Sequence, residues 1–135
     1  MNQSLDRNEW HATPLRAVQQ FIGLGPGSNG DEPGPFAFAD PAWIGHVLAV
    51  AGFVDVTITS VETKVPVGDD LDDAIRFFEM DARTSLRSFT DDDTIDRISV
   101  ALRDDLAQHV SDQGVVLPAA AWLVVARTPA RGCAR

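Results

Sequence analysis

The stretch GPFAFADPAWIGHVLAVAGFVDVTI, residues 34–58, decides the fold class. Asp40 is placed to cap a helix, because its carboxylate can accept from backbone amides that have no intrahelical partner. Pro41 suits the first helical position, where a missing N–H costs nothing. Trp43, Ile44, Val47, Leu48 and Ala51 then recur at helical spacing. Gly52 offers the left-handed residue that closes a helix, and Phe53 follows where it can pack back on the last turn. Residues 54–61, VDVTITSV, alternate apolar Val54, Val56 and Ile58 with polar Asp55, Thr57 and Thr59. That period of two predicts a strand with one face buried. A capped helix that turns through glycine into a strand is an α/β unit.

Upstream, residues 8–21 place Trp10, Leu15, Val18 and Phe21 close to one helical face, and Pro14 suggests that the start is a separate turn. Residues 23–35, GLGPGSNGDEPGP, read as a flexible loop. Downstream, Asp70 and Asp73 stand at capping-box-like spacing, and Leu71, Ile75 and Phe78 predict a helix over 69–81. A longer helix is expected over 91–112, with Thr90 as cap and Ile95, Ile98, Leu102 and Leu106 on one face. The run VVLPAAAWLVVA, 115–126, is continuously apolar, as in a strand covered on both faces. Pro118 restricts its ladder to the residues after it or marks a bulge. The chain then reads helix, loop, helix, strand, helix, helix, strand. Two strands do not make a stable sheet by themselves, so the central-looking strand 119–126 calls for a further neighbour.

With 135 residues the chain fits one domain, drawn over 1–127, with a flexible tail at 128–135. Hydrophobic content of 44% and charged content of 23% are ordinary for a globular protein. A formal charge of −9 and a lone Lys64 argue against nucleic acid, which needs clustered Lys and Arg. No apolar run reaches the roughly 20 residues of a membrane span, and MNQSLDRNEW lacks the apolar core of a signal peptide. Cys133 has no second cysteine to pair with, so a free thiol in a reducing cytoplasm is expected.

Three segments, NEWHATPL (8–15), GPFAFADPAWIGHVLAVAGFVDVTI (34–58) and LPAAAWLVVAR (117–127), resemble in wording and order the end of a class I S-adenosylmethionine (SAM) dependent methyltransferase of the ubiquinone/menaquinone-biosynthesis type. The resemblance covers nearly the whole chain from Asn8 to Arg127. It implies a partial Rossmann-like fold whose seventh strand is antiparallel and inserted between the fifth and sixth. Carried over, 54–61 would be strand six and 119–126 strand seven, with strand five ending just upstream of Asn8. About four helices would form a substrate cap, residues 64–114 lying over the ligand face as a lid. The family binds SAM through a glycine-rich turn after its first strand, in the half of the fold outside this resemblance. GLGPGSNG (23–30) is similar to such a turn only superficially, since it follows no apolar strand, so no SAM is expected on this chain alone.

The resemblance puts Trp10 and His11 where the chain would leave strand five, near the transferred methyl group. Trp10 would wall the pocket and His11 could take a proton from an acceptor hydroxyl. The plainer alternative makes Trp10 a core anchor and His11 an exposed helix residue. Phe36 and Phe38, and Phe77 and Phe78, could line an apolar pocket, although aromatics at such spacing more often belong to a core. The aspartates at 69–73 and 91–93 read as helix caps rather than calcium ligands, and His11, His46 and His109 show no zinc spacing. The expected role is the substrate side of a methyltransferase for a small, apolar acceptor, inactive without its cofactor-binding half. The alternative is a non-catalytic module that covers the edge of 119–126 with a second copy, or with a complementing chain.

Overall fold

A computed structural model describes residues 1–23 and 33–130. It is a mixed α/β chain with a three-stranded antiparallel sheet. After a 3-10 turn at Leu5–Arg7 come α1 (Glu9–Gln19), α2 (Pro41–Val50), β1 (Val54–Gly68), α3 (Leu71–Leu86), α4 (Asp92–Ala107), β2 (Val110–Ser111) and β3 (Gly114–Arg127). The strand order is β1-β3-β2. Most of the 23–35 loop, and Cys133 with the end of the tail, lie outside the described residues.

The chain divides into two compact units, and both long strands contribute to each. One unit comprises Met1–Ser4, Ser28–Glu62 and Ala120–Arg135; the other comprises Leu5–Gly27 and Thr63–Ala119.

In the first unit α2 forms as its sequence predicts. The Asp40 carboxylate accepts from Ala42 N–H at 2.8 Å, with Pro41 at the first position. At the other end Gly52 takes φ +86°, while Phe53 N–H donates to Leu48 C=O and Gly52 N–H to Ala49 C=O. That pair of bonds satisfies carbonyls the helix leaves open. β3 gains a partner from the chain's own start. Gln3 N–H donates to Ala120 C=O, Trp122 N–H to Met1 C=O, and Asn2 bridges Ala121 in antiparallel sense. The Gln3 amide, buried, donates to Ser60 Oγ at 2.7 Å and Ala121 C=O at 2.9 Å, and so ties β1 to β3. Trp122 Nε1 donates to Ala39 C=O at 2.8 Å, fixing the approach to α2.

In the second unit α3 and α4 form an antiparallel pair against α1. Val67, Ala74, Ile75, Ile98, Leu102, Leu106, Val115 and Leu117 are buried together with Ala17 of α1. Asp70 caps α3 by accepting from Asp73 N–H, and Asp73 reaches back to Asp69 N–H. Arg83 of α3 meets Asp96 of α4 at 2.9 Å, and Arg103 of α4 meets Asp72 of α3. The aspartate clusters are therefore helix starts and interhelical partners.

Several boundaries differ from the sequence expectation. β1 runs to Gly68, so the strand expected over 54–61 is nearly twice as long and 64–68 is not lid. The helix expected over 91–112 stops at Ala107, because Val110 and Ser111 pair with Val115 and Gly114 as β2. Helical periodicity does not reveal a two-residue strand fixed by its partner. Asp91, not Thr90, caps α4 by accepting from Thr94 N–H. Pro14 does not separate a turn from α1, which runs through it.

β3 likewise begins at Gly114 rather than 119, and Pro118 does not interrupt it. Val116, Ala120 and Trp122 make their backbone bonds to β2's side or to residues 1–3, on the edge away from β1. By the same alternation Pro118 turns its donor-less nitrogen to that edge and costs the β1 ladder nothing. Nor is 115–126 covered on both faces throughout. Val115 and Leu117 are fully buried, but Leu123 and Val125 are 57% and 56% exposed.

Candidate functional site

α1 carries the first two candidates. Asn8, which precedes it, makes no side-chain cap. Instead its buried Oδ1 accepts from Trp10 Nε1 at 3.1 Å. That bond turns the indole onto the core of its unit, where it packs while partly buried. His11 stands edge-on to the same indole, the ring centres 5.4 Å apart. Burial pushes the His11 imidazole below its ordinary pKa, because desolvation disfavours the charged ring. A neutral imidazole can accept a proton, as a general base must.

Beside them the first turns of α1 hold a polar cluster that sequence reasoning missed. Thr13 Oγ1 and Arg16 Nη2 both donate to Glu9 Oε2 at 2.8 Å, and Thr13 is fully buried. The Arg16 guanidinium holds the Glu9 carboxyl below its usual range, against the opposing effect of burial. The signal was present: residues 9, 13 and 16 recur four and seven positions apart, which is one helical face.

The aromatic candidates separate. Phe78 packs against the core of the α1–α3–α4 unit and lines a cavity of about 40 Å³ together with Pro14, Val18, Leu86, Ile98 and Leu102. Water occupies about 30 Å³ in the liquid, so this space is far too small for an acceptor. At its margin Glu79 accepts from Ser99 Oγ and Arg83, the Ser99 bond being the main cause of its lowered pKa. Phe77 lies T-shaped against Phe78 but is 54% exposed. A larger groove of about 590 Å³ opens between Phe21 and the outer side of α4, lined also by Asp96, Arg97, Val100 and Asp104. Its volume is in the range of small-molecule sites, and its accessible wall is more apolar than polar, with Phe21, Val100 and Ala101 beside the charged Asp96, Arg97 and Asp104. Phe36 and Phe38 belong to the other unit, where Phe36 is buried and Phe38 partly so.

Among the described residues no group of three or more His, Cys, Asp or Glu side chains could hold a metal ion. No described helix is long and apolar enough to cross a membrane. Set against known proteins, the chain matches no family model and no curated sequence.

Proposed function

We propose that this chain is the substrate-side portion of a SAM-dependent methyltransferase fold for a small, apolar acceptor, completed by a polypeptide that supplies the SAM-binding strands. The observation that carries the reading is the pairing of β3. Residues 1–3 lie antiparallel to it on one side at 120–122, and β1 lies antiparallel on the other. This is the order expected of a seventh strand between a fifth and a sixth. Trp10 would then wall the acceptor, and His11, held neutral by burial, would take its proton. The chain alone would bind no SAM. An acidic composition and one cysteine suit a cytoplasmic setting.

The experiment is calorimetric titration of SAM into the purified chain, alone and mixed with a polypeptide carrying the first five strands of such a methyltransferase. The mixture should bind SAM and transfer a labelled methyl group, and His11→Asn should slow transfer without weakening SAM binding. Saturable binding by the chain alone would remove the need for a partner. A mixture without binding or transfer would refute the methyltransferase reading.

A homodimer made by strand addition at 119–126 is less favoured. Residues 1–3 already occupy the edge at 120–122, so a second copy would have to displace them or pair with 124–126 only.

A further inference from the structure

We infer that the groove between Phe21 and α4 binds a short apolar peptide by its free ends, the carboxylate on Arg97 and the ammonium on Asp104. This does not depend on the methyltransferase reading. Phe21 N–H donates to Val18 C=O, which carries the last turn of α1 on to Phe21. Ala17 of α1 is buried in one cluster with Ile98 and Leu102 of α4, and the Phe21 ring forms one wall of the groove beside that packing. The α4 wall is a single stripe, because Arg97, Val100, Ala101 and Asp104 stand at i, i+3, i+4 and i+7. Val100 is 61% exposed and Phe21 40%. The groove thus has an apolar middle with a charge at each end.

Neither of those charges has a partner. With 20 acidic side chains against 11 basic ones, an arginine of this chain finds a carboxylate readily. Arg16, Arg76, Arg83, Arg87, Arg103 and Arg127 all do. Arg97 makes no ion pair or hydrogen bond among the described residues. Asp91 feels its charge, but that carboxylate already caps α4 on the Thr94 amide. Asp104 has no cation within a turn of it, since Val100, Ala101, Ala107 and Gln108 carry none. Arg97 and Asp104 cannot meet each other across two helical turns, about 10 Å. Asp96, the third charge on the wall, is held by Arg83 at 2.9 Å.

One positive and one negative group therefore select the ligand. A plain carboxylate would meet Asp104 and the field of a chain at −9, and a plain cation would leave Arg97 unmatched. A ligand that carries both charges answers each, with its body against Phe21, Val100 and Ala101. An extended peptide advances at most about 3.5 Å per residue, so three residues span the distance between the charges. The guanidinium suits a terminal carboxylate, to which it presents two parallel N–H donors.

Titration of trivaline into the isotope-labelled intact chain, followed by amide NMR shifts, tests this. Saturable shifts should centre on Phe21, Val100 and Ala101. The C-terminal amide and the N-acetyl form of the peptide should each bind about threefold more weakly, the scale of an exposed ion pair. Arg97→Gln should abolish the preference for the free acid over the amide, and Asp104→Asn the preference for the free amine over the acetylated form. Both side chains are exposed, so circular dichroism should show the variants folded. Phe77→Ala, which removes an exposed ring on α3, should leave binding unchanged. Absence of saturable shifts at the groove overturns the inference, as do end-blocked peptides that bind equally well. Octanoate binding as tightly as trivaline would overturn it by removing the need for an ammonium. Groove shifts produced by concentrating the protein alone would seat a second copy there instead and equally overturn it.

Discussion

At the residue scale, α1 carries two groups, His11 and Glu9, whose titration should register in stability. Burial lowers the His11 pKa, so the unfolded chain takes up a proton before the folded one does. Stability should therefore start to fall as pH drops below the ordinary histidine value of 6.5. Glu9 has a lowered carboxyl pKa, chiefly through Arg16, and its contribution is present above the ordinary value of 4.5 and lost on further acidification. Urea unfolding at a series of pH values should show both declines. His11→Asn should flatten the first, and Arg16→Met should diminish the second. Trp10→Phe removes the donor to the buried Asn8 Oδ1 and should cost about 1 kcal/mol, read from the same unfolding curves. The Trp10–Asn8 bond was not legible in the sequence. Asn8 has the chemistry of an N-cap, and only the folded indole shows where its oxygen is used.

At the scale of elements, two glycines with the same backbone angle should respond differently. Gly52 and Gly114 both adopt φ +86°. A Cβ at Gly52 would meet nothing within 4 Å, whereas at Gly114 it would fall 2.4 Å from the Gly68 carbonyl oxygen. Gly52→Ala should thus cost about 1 kcal/mol of backbone strain alone. Gly114→Ala should cost clearly more, since the backbone of Gly68 must also move, and thermal unfolding of the two variants would rank them. Gly52 was legible because a helix cap is written within a few consecutive residues. Gly114 fell unassigned between the expected helix 91–112 and the apolar run 115–126, and its requirement comes from a residue 46 positions away.

At the scale of the whole molecule, the short start of the chain matters more than its length suggests. Gln3 donates to both β1 and β3, and the Met1 carbonyl accepts the Trp122 amide. Gln3→Ala should speed hydrogen exchange at the Trp122 amide while leaving Leu102 and Leu106 amides in α4 protected, as expected if residues 1–3 hold only their own unit. Equal loosening in α4 would mean that the two units open together. If the SAM-binding strands are supplied in trans, the same segment, which holds the strand-five place against β3, becomes the edge where the added sheet joins, and Gln3→Ala should weaken that complementation.

The sequence by itself determined what is local: the cap and glycine stop of α2, a strand after it, the cap of α3 and the apolar faces of α3 and α4. These follow from neighbours within a few residues, where period and capping chemistry act directly. It did not determine which sides of α2 and of that strand are covered, since Trp43 of the expected stripe and Val54 of the expected buried face are exposed. The tertiary structure decided what depends on partners distant in the chain. Strand ends moved because a strand continues for as long as another backbone pairs with it, and β2 exists only because Val115 and Gly114 lie opposite. The candidate site divided for the same reason. Trp10 and His11 were bound to be adjacent on one helix, but which aromatics were buried was set by packing: Phe78 went to the core and Phe77 to the surface, although they are neighbours in sequence.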